Sequence, residues 1–284
     1  MVAKVERPVL RYFGGKWRIG EWIISHFPPH RCYVEPFGGA ASVLLQKTPS
    51  PIEVYNDADG EVVNFFRMLR DRAGELAMAI DLTPYAKSEL ELTYTPAADE
   101  LERARRMFVR SWQGRGGARA QWRTGWRYQR SDNQRKHTAS DWNEAARLLD
   151  VAARFKTVQV DHDEAIPLIR RYDTSETLFY CDPPYVASTR GKRWATHAYT
   201  HEMDDQAHRE LAAALHGIKG MAVVSGYPSP LYDELYGDWQ SYTLTTRTED
   251  RGGDKPTATE VLWLSPLAAA RARQQPLPLV EVAP

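Results

Sequence analysis

Cysteine and long apolar runs are both scarce in this sequence. The chain of 284 residues has two cysteines, Cys32 and Cys181, and both lie in short apolar stretches. Their scarcity excludes a disulfide framework and leaves no cysteine set for a metal, so we expect reduced thiols and a cytoplasmic location. No apolar run reaches the roughly 18 residues that a membrane-spanning helix needs, and residues 1–11 lack the apolar core of a signal peptide. We therefore expect a globular, soluble protein that neither spans a membrane nor is secreted.

Paired histidines and a net charge are also lacking. The eight histidines show no regular spacing with cysteine or acidic residues, so no metal site is predicted. Lysine and arginine together number 37, as do aspartate and glutamate, which leaves no net charge. The charges are nevertheless unevenly placed, because the segment 103–136 holds ten Arg and one Lys against one Asp. A strongly basic segment is thus carried on an acidic body.

The basic segment is interleaved with aromatic residues, among them Trp112, Trp122, Trp126 and Tyr128. A solvated surface is the usual explanation of a charge run, but arginines beside aromatic rings also suit phosphate contacts and base stacking. We favour the second explanation and predict nucleic-acid contacts from five arginines: Arg115, Arg119, Arg123, Arg127 and Arg130. Glycines in the same stretch argue against one continuous helix.

The most informative motif is Asp182-Pro183-Pro184-Tyr185, called the DPPY motif below, which follows the apolar run 177–181. That run is typical of a buried parallel strand, so the motif lies at the carboxyl end of a strand. The prolines fix the backbone, the Asp182 carboxylate and the Pro183 carbonyl can each accept one N–H of an amine, and Tyr185 offers a stacking face. These features suit the exocyclic amine of a planar base. A plain strand-ending turn is the competing explanation.

A glycine-rich pattern near the N-terminus predicts a nucleotide-type half-site. Gly14-Gly15-Lys16 precedes an amphipathic helical pattern that extends to Phe27. The segment 33–57 then combines a strand, a glycine turn, a helix start, a second strand and an acid. Its parts are strand 33–35, turn 36–39, helix start 40–46, strand 52–55 and the acid Asp57.

Strand and helix patterns alternate along most of the chain, which predicts an α/β fold. A helical pattern covers 60–81, and alternation resumes at 142 with a final antiparallel strand pair at 241–245 and 259–264. We therefore predict a discontinuous catalytic domain at 1–81 and 151–265, an inserted, mainly helical recognition lobe at 82–150, and a flexible tail at 266–284.

Four motifs, Tyr12-Phe13-Gly14-Gly15-Lys16, Glu35 to Ala40, Asn56-Asp57 and the DPPY motif, together resemble the Dam-like (D12 class) adenine-N6 DNA methyltransferases in both sequence and order. The resemblance covers most of residues 8–265. It implies a Rossmann-like methyltransferase sheet with helices on both faces and an inserted DNA-recognition lobe. It also implies S-adenosylmethionine as cofactor, double-stranded DNA as partner, and site-specific methyl transfer to the N6 amine of a flipped adenine.

The resemblance further implies roles for individual residues. Cofactor contacts would come from Tyr12, Gly14, Gly15, Lys16, Glu35, Pro36, Phe37, Gly38, Gly39, Ala40, Asp57, Asp163 and Asp182. Asp57 would hold the ribose hydroxyls and Asp163 the adenine amine of the cofactor. The catalytic residues would be Asp182, Pro183, Pro184 and Tyr185, and no metal is implied.

Two features depart from the family pattern. Ala41 stands where the family usually has a glycine, so tighter packing is expected around this position. The Arg- and Trp-rich lobe does not match the recognition region of the GATC-specific members, so the target sequence is not carried over.

Several alternatives stay open. The N4 amine of cytosine is chemically similar to N6 of adenine and is an alternative target. RNA is an alternative to DNA as the substrate. A catalytically inactive DNA-binding or regulatory module is the third alternative. Carbon-5 cytosine methylation needs a cysteine nucleophile, commonly after proline, and the chain has no Pro-Cys pair. A monomer is expected to suffice, and a partner restriction endonuclease is compatible with the reaction.

Overall fold

The computed structural model describes residues 5–115, 123–129, 138–139, 142, 146–190, 199–247 and 257–274. Two of the predicted DNA contacts, Arg119 and Arg130, lie outside the described residues, as does the part of the predicted tail after residue 274.

The described residues contain one sheet of seven strands. The strands are β1 (Cys32–Glu35), β2 (Ile52–Asn56), β3 (Val158–Asp161), β4 (Thr177–Cys181), β5 (Met221–Gly226), β6 (Gln240–Arg247) and β7 (Thr257–Leu264). Their order across the sheet is β3-β2-β1-β4-β5-β7-β6. Strands β1 to β5 are parallel, whereas β7 runs antiparallel to both β5 and β6, which confirms the predicted final strand pair. The carboxyl ends of the parallel strands consequently meet at one edge of the sheet.

Ten α-helices of the described residues surround the sheet. They are α1 (Gly20–Ser25), α2 (Gly60–Asp71), α3 (Ala73–Asp81), α4 (Lys87–Leu92), α5 (Glu100–Gln113), α6 (Ala146–Phe155), α7 (Ala165–Tyr172), α8 (Asp205–His216), α9 (Pro230–Tyr236) and α10 (Pro266–Arg273). Side-chain caps fix several starts: Asp59 accepts from the N–H of Glu61 at the start of α2, and Asp204 accepts from the N–H of Ala207 at the start of α8. Among the described residues, no helix is long and apolar enough to cross a membrane.

The strands bury side chains on both faces of the sheet. In β4, Leu178 and Tyr180 belong to one buried apolar cluster, whereas Phe179 and Cys181 belong to another. Helices α1, α2, α5, α6 and α10 contribute to the first cluster, and α7, α8 and α9 to the second. Because side chains of a strand alternate between faces, two clusters require helices on both sides. The predicted α/β fold with a Rossmann-like sheet is thereby confirmed.

The segment 82–150, predicted as an inserted lobe, is described in part. Its helix α5 packs against α2, and Phe108 and Trp112 join the apolar cluster of the sheet. Trp142 is buried in the same cluster and donates its indole N–H to the carbonyl of Thr83 at 2.8 Å. These residues extend the main core, and the domain division at 82 and 150 stays a prediction.

The helical pattern at 60–81 is confirmed as two helices, which Arg72 separates with a non-helical φ of −133°. Two other sequence expectations need correction. The start of the tail, 266–273, is helix α10 rather than a loose segment, since Ser265 caps it and Ala268 and Ala269 are buried.

The second correction concerns the predicted helix start at 40–46, which is a series of turns. Ala41 has a φ of 53°, in the left-handed region where a side chain costs roughly 1–2 kcal/mol. The backbone hydrogen bonds after Ala41 do not keep the regular spacing of an α-helix. The N–H of Leu45 donates to the carbonyl of Ala41, but the N–H of Gln46 donates to the carbonyl of Val43. Glycine reaches this backbone conformation freely, which explains physically why it suits position 41.

Candidate active site

A cavity of about 350 Å³ opens at the carboxyl ends of the parallel strands. Most of the predicted cofactor residues line it, namely Tyr12, Gly14, Gly15, Lys16, Glu35, Phe37, Gly38, Gly39, Ala40, Asp57 and Asp182. Pro184 of the DPPY motif lines it as well, whereas Pro36, Asp163, Pro183 and Tyr185 do not. The structure therefore brings residues of all four sequence motifs together around one pocket.

The glycine turn after β1 leaves no room for larger residues. A Cβ on Gly38 would lie 2.3 Å from the ring of Tyr55 and 2.9 Å from the carbonyl oxygen of Asn56. Gly39 has a φ of 47° and faces the ring of Tyr12. The turn is closed by the N–H of Gly38, which donates to the Asn56 carbonyl at 2.7 Å. The backbone of β1 and β2 thus comes close enough to form the floor of the pocket.

Asp57 is fixed by backbone donors rather than by a cation. The N–H of Gly39 donates to its Oδ2 and the N–H of Asp59 to its Oδ1, each at 2.8 Å. Burial raises the pKa of Asp57 to about 6, although these two hydrogen bonds act in the opposite direction. A carboxylate held this way at a strand end is oriented to accept hydrogen bonds from a ligand hydroxyl.

Glu35, at the end of β1, is a buried acid on the pocket wall. It is 2% exposed, and Tyr33 donates its hydroxyl to Oε1 at 2.6 Å. Burial raises the pKa of Glu35 to about 8 despite this bond. The charged form is therefore costly without a partner, and a cationic group in the pocket would favour it.

The Asp182 carboxylate is held on both of its oxygens. Lys16 lies 2.8 Å from Oδ2, and Ser225 at the end of β5 donates its hydroxyl to Oδ1 at 2.7 Å. The hydroxyl of Tyr180 is 3.0 Å from that of Ser225, which extends the chain of contacts into the core. Burial alone would lower the pKa of Lys16, but the charges of Asp182 and Glu260 raise it, so Lys16 is charged. The carboxylate thus has one fixed rotamer at the pocket edge.

Tyr185 is anchored at its hydroxyl, its carbonyl and its ring. The hydroxyl donates to Oε2 of Glu260 at 2.7 Å, and the carbonyl accepts a hydrogen bond from Arg190. The ammonium of Lys16 lies 4.7 Å from the ring centroid, and the ring of Tyr227 meets it at 70° with centroids 4.6 Å apart. Tyr185 is 6% exposed, so its ring is part of the packed wall beside Asp182.

No sequence motif indicated the part of the pocket wall that residues 199–203 form. The hydroxyl of Thr200 donates to Asp59 at 2.8 Å, and the ring of Tyr199 packs edge-on against Phe13 at 5.3 Å. These contacts connect the segment before α8 to the first glycine turn. No motif marks this segment, because its contacts join residues far apart in the sequence.

Asp163 lies beside the pocket rather than in its lining. Its carboxylate pairs with Arg171 at 2.5 Å, and its backbone N–H and carbonyl bond to the side chain of Asn56. The next residues, 164–166, do line the pocket. The predicted role of Asp163 as a cofactor contact stays a prediction.

The pocket lining has an excess of acidic side chains, of which Glu35, with its raised pKa, is the most costly to charge. The lining includes the carboxyl groups of Glu35, Asp57, Asp59, Glu164, Asp182, Glu202 and Glu210, against the single ammonium of Lys16. Such a lining suits a ligand with a positive charge. Within the described residues, no group of three or more His, Cys, Asp or Glu has an arrangement that could hold a metal ion.

Part of the basic segment is neutralised within the fold. In α5, Arg105 pairs with Glu102 at 2.6 Å and with Glu89 at 2.8 Å, and Arg103 pairs with Glu61 at 2.5 Å. These arginines contact the protein body, so the part of the segment that is left for a partner begins after α5.

The residues after α5 form a short antiparallel stem. Gly114 and Trp126 form an isolated bridge. The N–H of Arg115 donates to the Gly125 carbonyl at 2.9 Å, and the N–H of Arg127 donates to the Gln113 carbonyl at 2.8 Å.

Two of the predicted arginines lie over aromatic rings of this region. The guanidinium of Arg115 is 5.0 Å from the ring centroid of Tyr128, and that of Arg123 is 5.5 Å from that of Tyr94. Arg115 and Tyr128 both belong to the basic segment, so there the interleaving of arginine and aromatic residues is an arrangement in space as well as in sequence, whereas Tyr94 comes from outside the segment.

Comparison with known proteins matches residues 12–249 to the family of D12 class N6 adenine-specific DNA methyltransferases. The DNA adenine methylase of Escherichia coli (strain K12) is 23% identical over 269 residues, which cover 92% of this chain and 96% of that protein. The DNA adenine methylase of Salmonella typhi is 24% identical over 280 residues, which cover 95% and 100%. A shorter match of 67 residues to the DNA adenine methylase of Vibrio cholerae serotype O1 reaches 37% identity and covers 24% of each chain.

The family match extends over both glycine turns, Asp57 and the DPPY motif, the same residues that meet at the pocket. The coverage of full-length relatives is nearly complete, so the similarity concerns the whole fold rather than one motif. The chain belongs to the D12 class of N6 adenine-specific DNA methyltransferases, and its reaction is the methylation of adenine in DNA.

Proposed function

We propose that the pocket binds S-adenosylmethionine and that the DPPY motif presents the amine of an extruded adenine to the methyl group. The observation that carries the proposal is the position of Asp182, whose carboxylate lines the pocket and also lies beside the ring of Tyr185. A group at this position can face a cofactor on one side and a target base on the other.

The pocket residues fit this cofactor in charge and shape. S-adenosylmethionine carries a sulfonium and an ammonium against one carboxylate, and the lining is rich in acids. The glycine turn at 38 and 39 admits a ligand close to the backbone, because a side chain at Gly38 would clash with Tyr55. When bound, the cofactor supplies an electrophilic methyl group.

We assign the cofactor contacts by position in the pocket. Asp57, oriented by the N–H groups of Gly39 and Asp59, accepts from the ribose hydroxyls. Glu35, the adjacent turn and Lys16 lie on the side of Asp182, where the methionine portion belongs. Asp163 is assigned to the adenine side, next to the lining residues 164–166.

The residues of the DPPY motif act on the target amine by orientation. Extruding a base costs a few kcal/mol, and stacking on Tyr185 offsets part of it. The Asp182 carboxylate accepts one N–H of the amine and the Pro183 carbonyl the other, so the nitrogen lone pair points toward the pocket. Ser225 and Lys16 keep Asp182 in place through contacts with Oδ1 and Oδ2. The methylated amine then loses one proton to the solvent, and no covalent enzyme intermediate is needed.

A methyl-transfer assay tests this function directly. The protein is incubated with methyl-labelled S-adenosylmethionine and unmethylated duplex DNA, and the DNA is digested to nucleosides. We expect the label in N6-methyldeoxyadenosine, with an RNA duplex of the same sequence as the comparison substrate. Label in N4-methyldeoxycytidine would contradict the proposed fit of adenine, and DNA binding without any label would support an inactive binding module instead.

We also propose that the stem after α5 contacts DNA through Arg115, Arg123 and Arg127, and that Arg119 and Arg130 take part from outside the described residues. Arg115 and Arg123 lie over aromatic rings, which stiffens their side chains beside the stem. One chain carries both the pocket and the stem, so a monomer suffices. A partner restriction endonuclease stays a prediction.

Arg123→Ala is expected to weaken duplex binding similarly for all sequences. If Arg123 contacts one phosphate, the slope of log affinity against log salt should become shallower by about 0.9. Fluorescence anisotropy across a salt series measures both effects. Arg209→Ala is the matched control, since Arg209 pairs with Glu234 away from the stem. An unchanged salt slope in Arg123→Ala would remove this residue from the interface.

A further inference from the structure

Glu260 is a buried acid that no motif accounts for. It lies in β7 with 9% exposure and faces Leu244 of β6 in the strand register. Its neighbour Val261 pairs with Gly226, the last residue of β5. Glu260 therefore sits just beyond the carboxyl end of β5, at the same edge of the sheet as Asp182.

The contacts of Glu260 point toward the DPPY motif. Its Oε2 accepts the hydroxyl of Tyr185 at 2.7 Å. Burial raises the pKa of Glu260, while the charge of Lys16 and the bond from Tyr185 oppose that shift. Glu260 is not needed to balance the charge of Lys16, because Asp182 already pairs with Lys16 at 2.8 Å. A buried carboxyl is costly to keep, so a specific partner is the better reason for it.

Tyr185 needs an anchor if a base is to stack on it. A phenol ring that rotates freely must be ordered each time the base arrives, and this ordering opposes binding. Two contacts restrict the ring itself, the hydroxyl bond to Glu260 and the edge contact with Tyr227, while the bond from Arg190 to the carbonyl fixes the backbone that carries the ring. Of these, the bond to Glu260 holds the far end of the side chain, where a small rotation displaces the ring most.

We propose that Glu260 is a positioning residue for the methyl transfer: it accepts the Tyr185 hydroxyl and fixes the plane of the ring against which the extruded adenine packs. This inference rests on the proposed stacking role of Tyr185. Glu260 acts through Tyr185 and touches neither the cofactor nor the reacting amine.

The test compares Glu260→Ala, Glu260→Gln, Tyr185→Phe and the double variant Glu260→Ala/Tyr185→Phe. We expect Glu260→Ala and Tyr185→Phe each to lower kcat on the order of tenfold, with the affinity for S-adenosylmethionine unchanged in calorimetry. The double variant should lose no more than the stronger single variant, since both remove the same bond. Glu260→Gln should retain most of kcat because its amide oxygen can accept the hydroxyl.

A second readout follows the base itself. A DNA duplex with 2-aminopurine at the target position brightens when the base leaves the stack, and an oriented Tyr185 should limit that brightening by stacking. Glu260→Ala should raise the fluorescence of the bound duplex, which a purely structural role would not do. Glu176→Gln is the matched control, because Glu176 is 61% exposed and pairs with Arg31.

Different outcomes would contradict the positioning role of Glu260 and the stacking role of Tyr185. Multiplicative losses in the double variant, or a Glu260→Ala variant with normal kcat, would overturn the role of Glu260. Tyr185→Ala with normal turnover would instead overturn the stacking role on which it rests. If Glu260→Ala lowers the melting temperature too far for kinetic measurements, Glu260→Gln and Tyr185→Phe replace it in the test. We then expect kcat to be near normal in Glu260→Gln and reduced in Tyr185→Phe.

Discussion

Asp182→Ala is expected to slow methyl transfer severely while leaving the affinity for duplex DNA largely unchanged. Removal of one preorganised polar contact at a reacting centre costs on the order of 10²–10³-fold in kcat. Asp182 is held by Lys16 and Ser225, so the variant loses an oriented acceptor rather than a mobile one. Duplex affinity should persist because phosphate contacts supply most of it. Single-turnover transfer of labelled methyl and anisotropy titration measure the two quantities.

Two further variants make the result interpretable. Asp182→Asn keeps the shape but replaces one acceptor oxygen with an N–H donor, so it should also lose turnover although packing is retained. Asp238→Asn is the matched control, because Asp238 is 67% exposed and contacts His216 away from the pocket. Normal turnover in either variant of Asp182 would contradict the assigned role, whereas loss in the Asp238 variant would point to a general effect on folding.

The main features of the site could be predicted because they depend on local sequence and on strand direction. Glu35, Asp57 and Asp182 each follow an apolar run that is typical of a parallel strand. Parallel strands end at a common edge, so residues that follow them must lie near one another. The structure places Glu35, Asp57 and Asp182 around one pocket. The backbone conformation at position 41 could not be predicted, because the left-handed region is visible only in the φ of Ala41.

The contacts of the supporting residues could not be predicted, because they bridge distant parts of the chain. Ser225 reaches Asp182 across 43 positions, and Glu260 reaches Tyr185 across 75. A serine at a strand end and a glutamate in a strand are common, and neither sequence position identifies a partner in the next strand. Only the strand order β4-β5-β7 brings them to the DPPY motif.

The same limitation applies to a buried charge cluster at the amino end of β2. Glu53 in β2 is 1% exposed and contacts Lys47 at 2.6 Å and Arg154 of α6 at 2.5 Å. Arg154 also donates to the carbonyl of Leu44 at 2.9 Å. The cluster therefore ties the turns after Ala41 to the helix that follows the basic segment.

Glu53→Ala is expected to destabilise the protein by about 3–5 kcal/mol, the typical cost of removing one partner from a buried ion pair. The loss is large because Lys47 and Arg154 would both remain buried without their carboxylate. Urea unfolding of the cofactor-free protein measures the free energy of unfolding, with Glu91→Ala as the control, since Glu91 is 62% exposed and pairs with Lys87.

The effect of Glu53→Ala should also depend on pH. Burial would raise the pKa of Glu53, but the bonds from Arg154 and Lys47 lower it below the ordinary value. Its contribution is therefore present above the ordinary pKa and lost as the pH falls through the lowered one, so acid should narrow the difference between Glu53→Ala and the parent protein. A loss below 1 kcal/mol at neutral pH would mean that water or another group replaces Glu53.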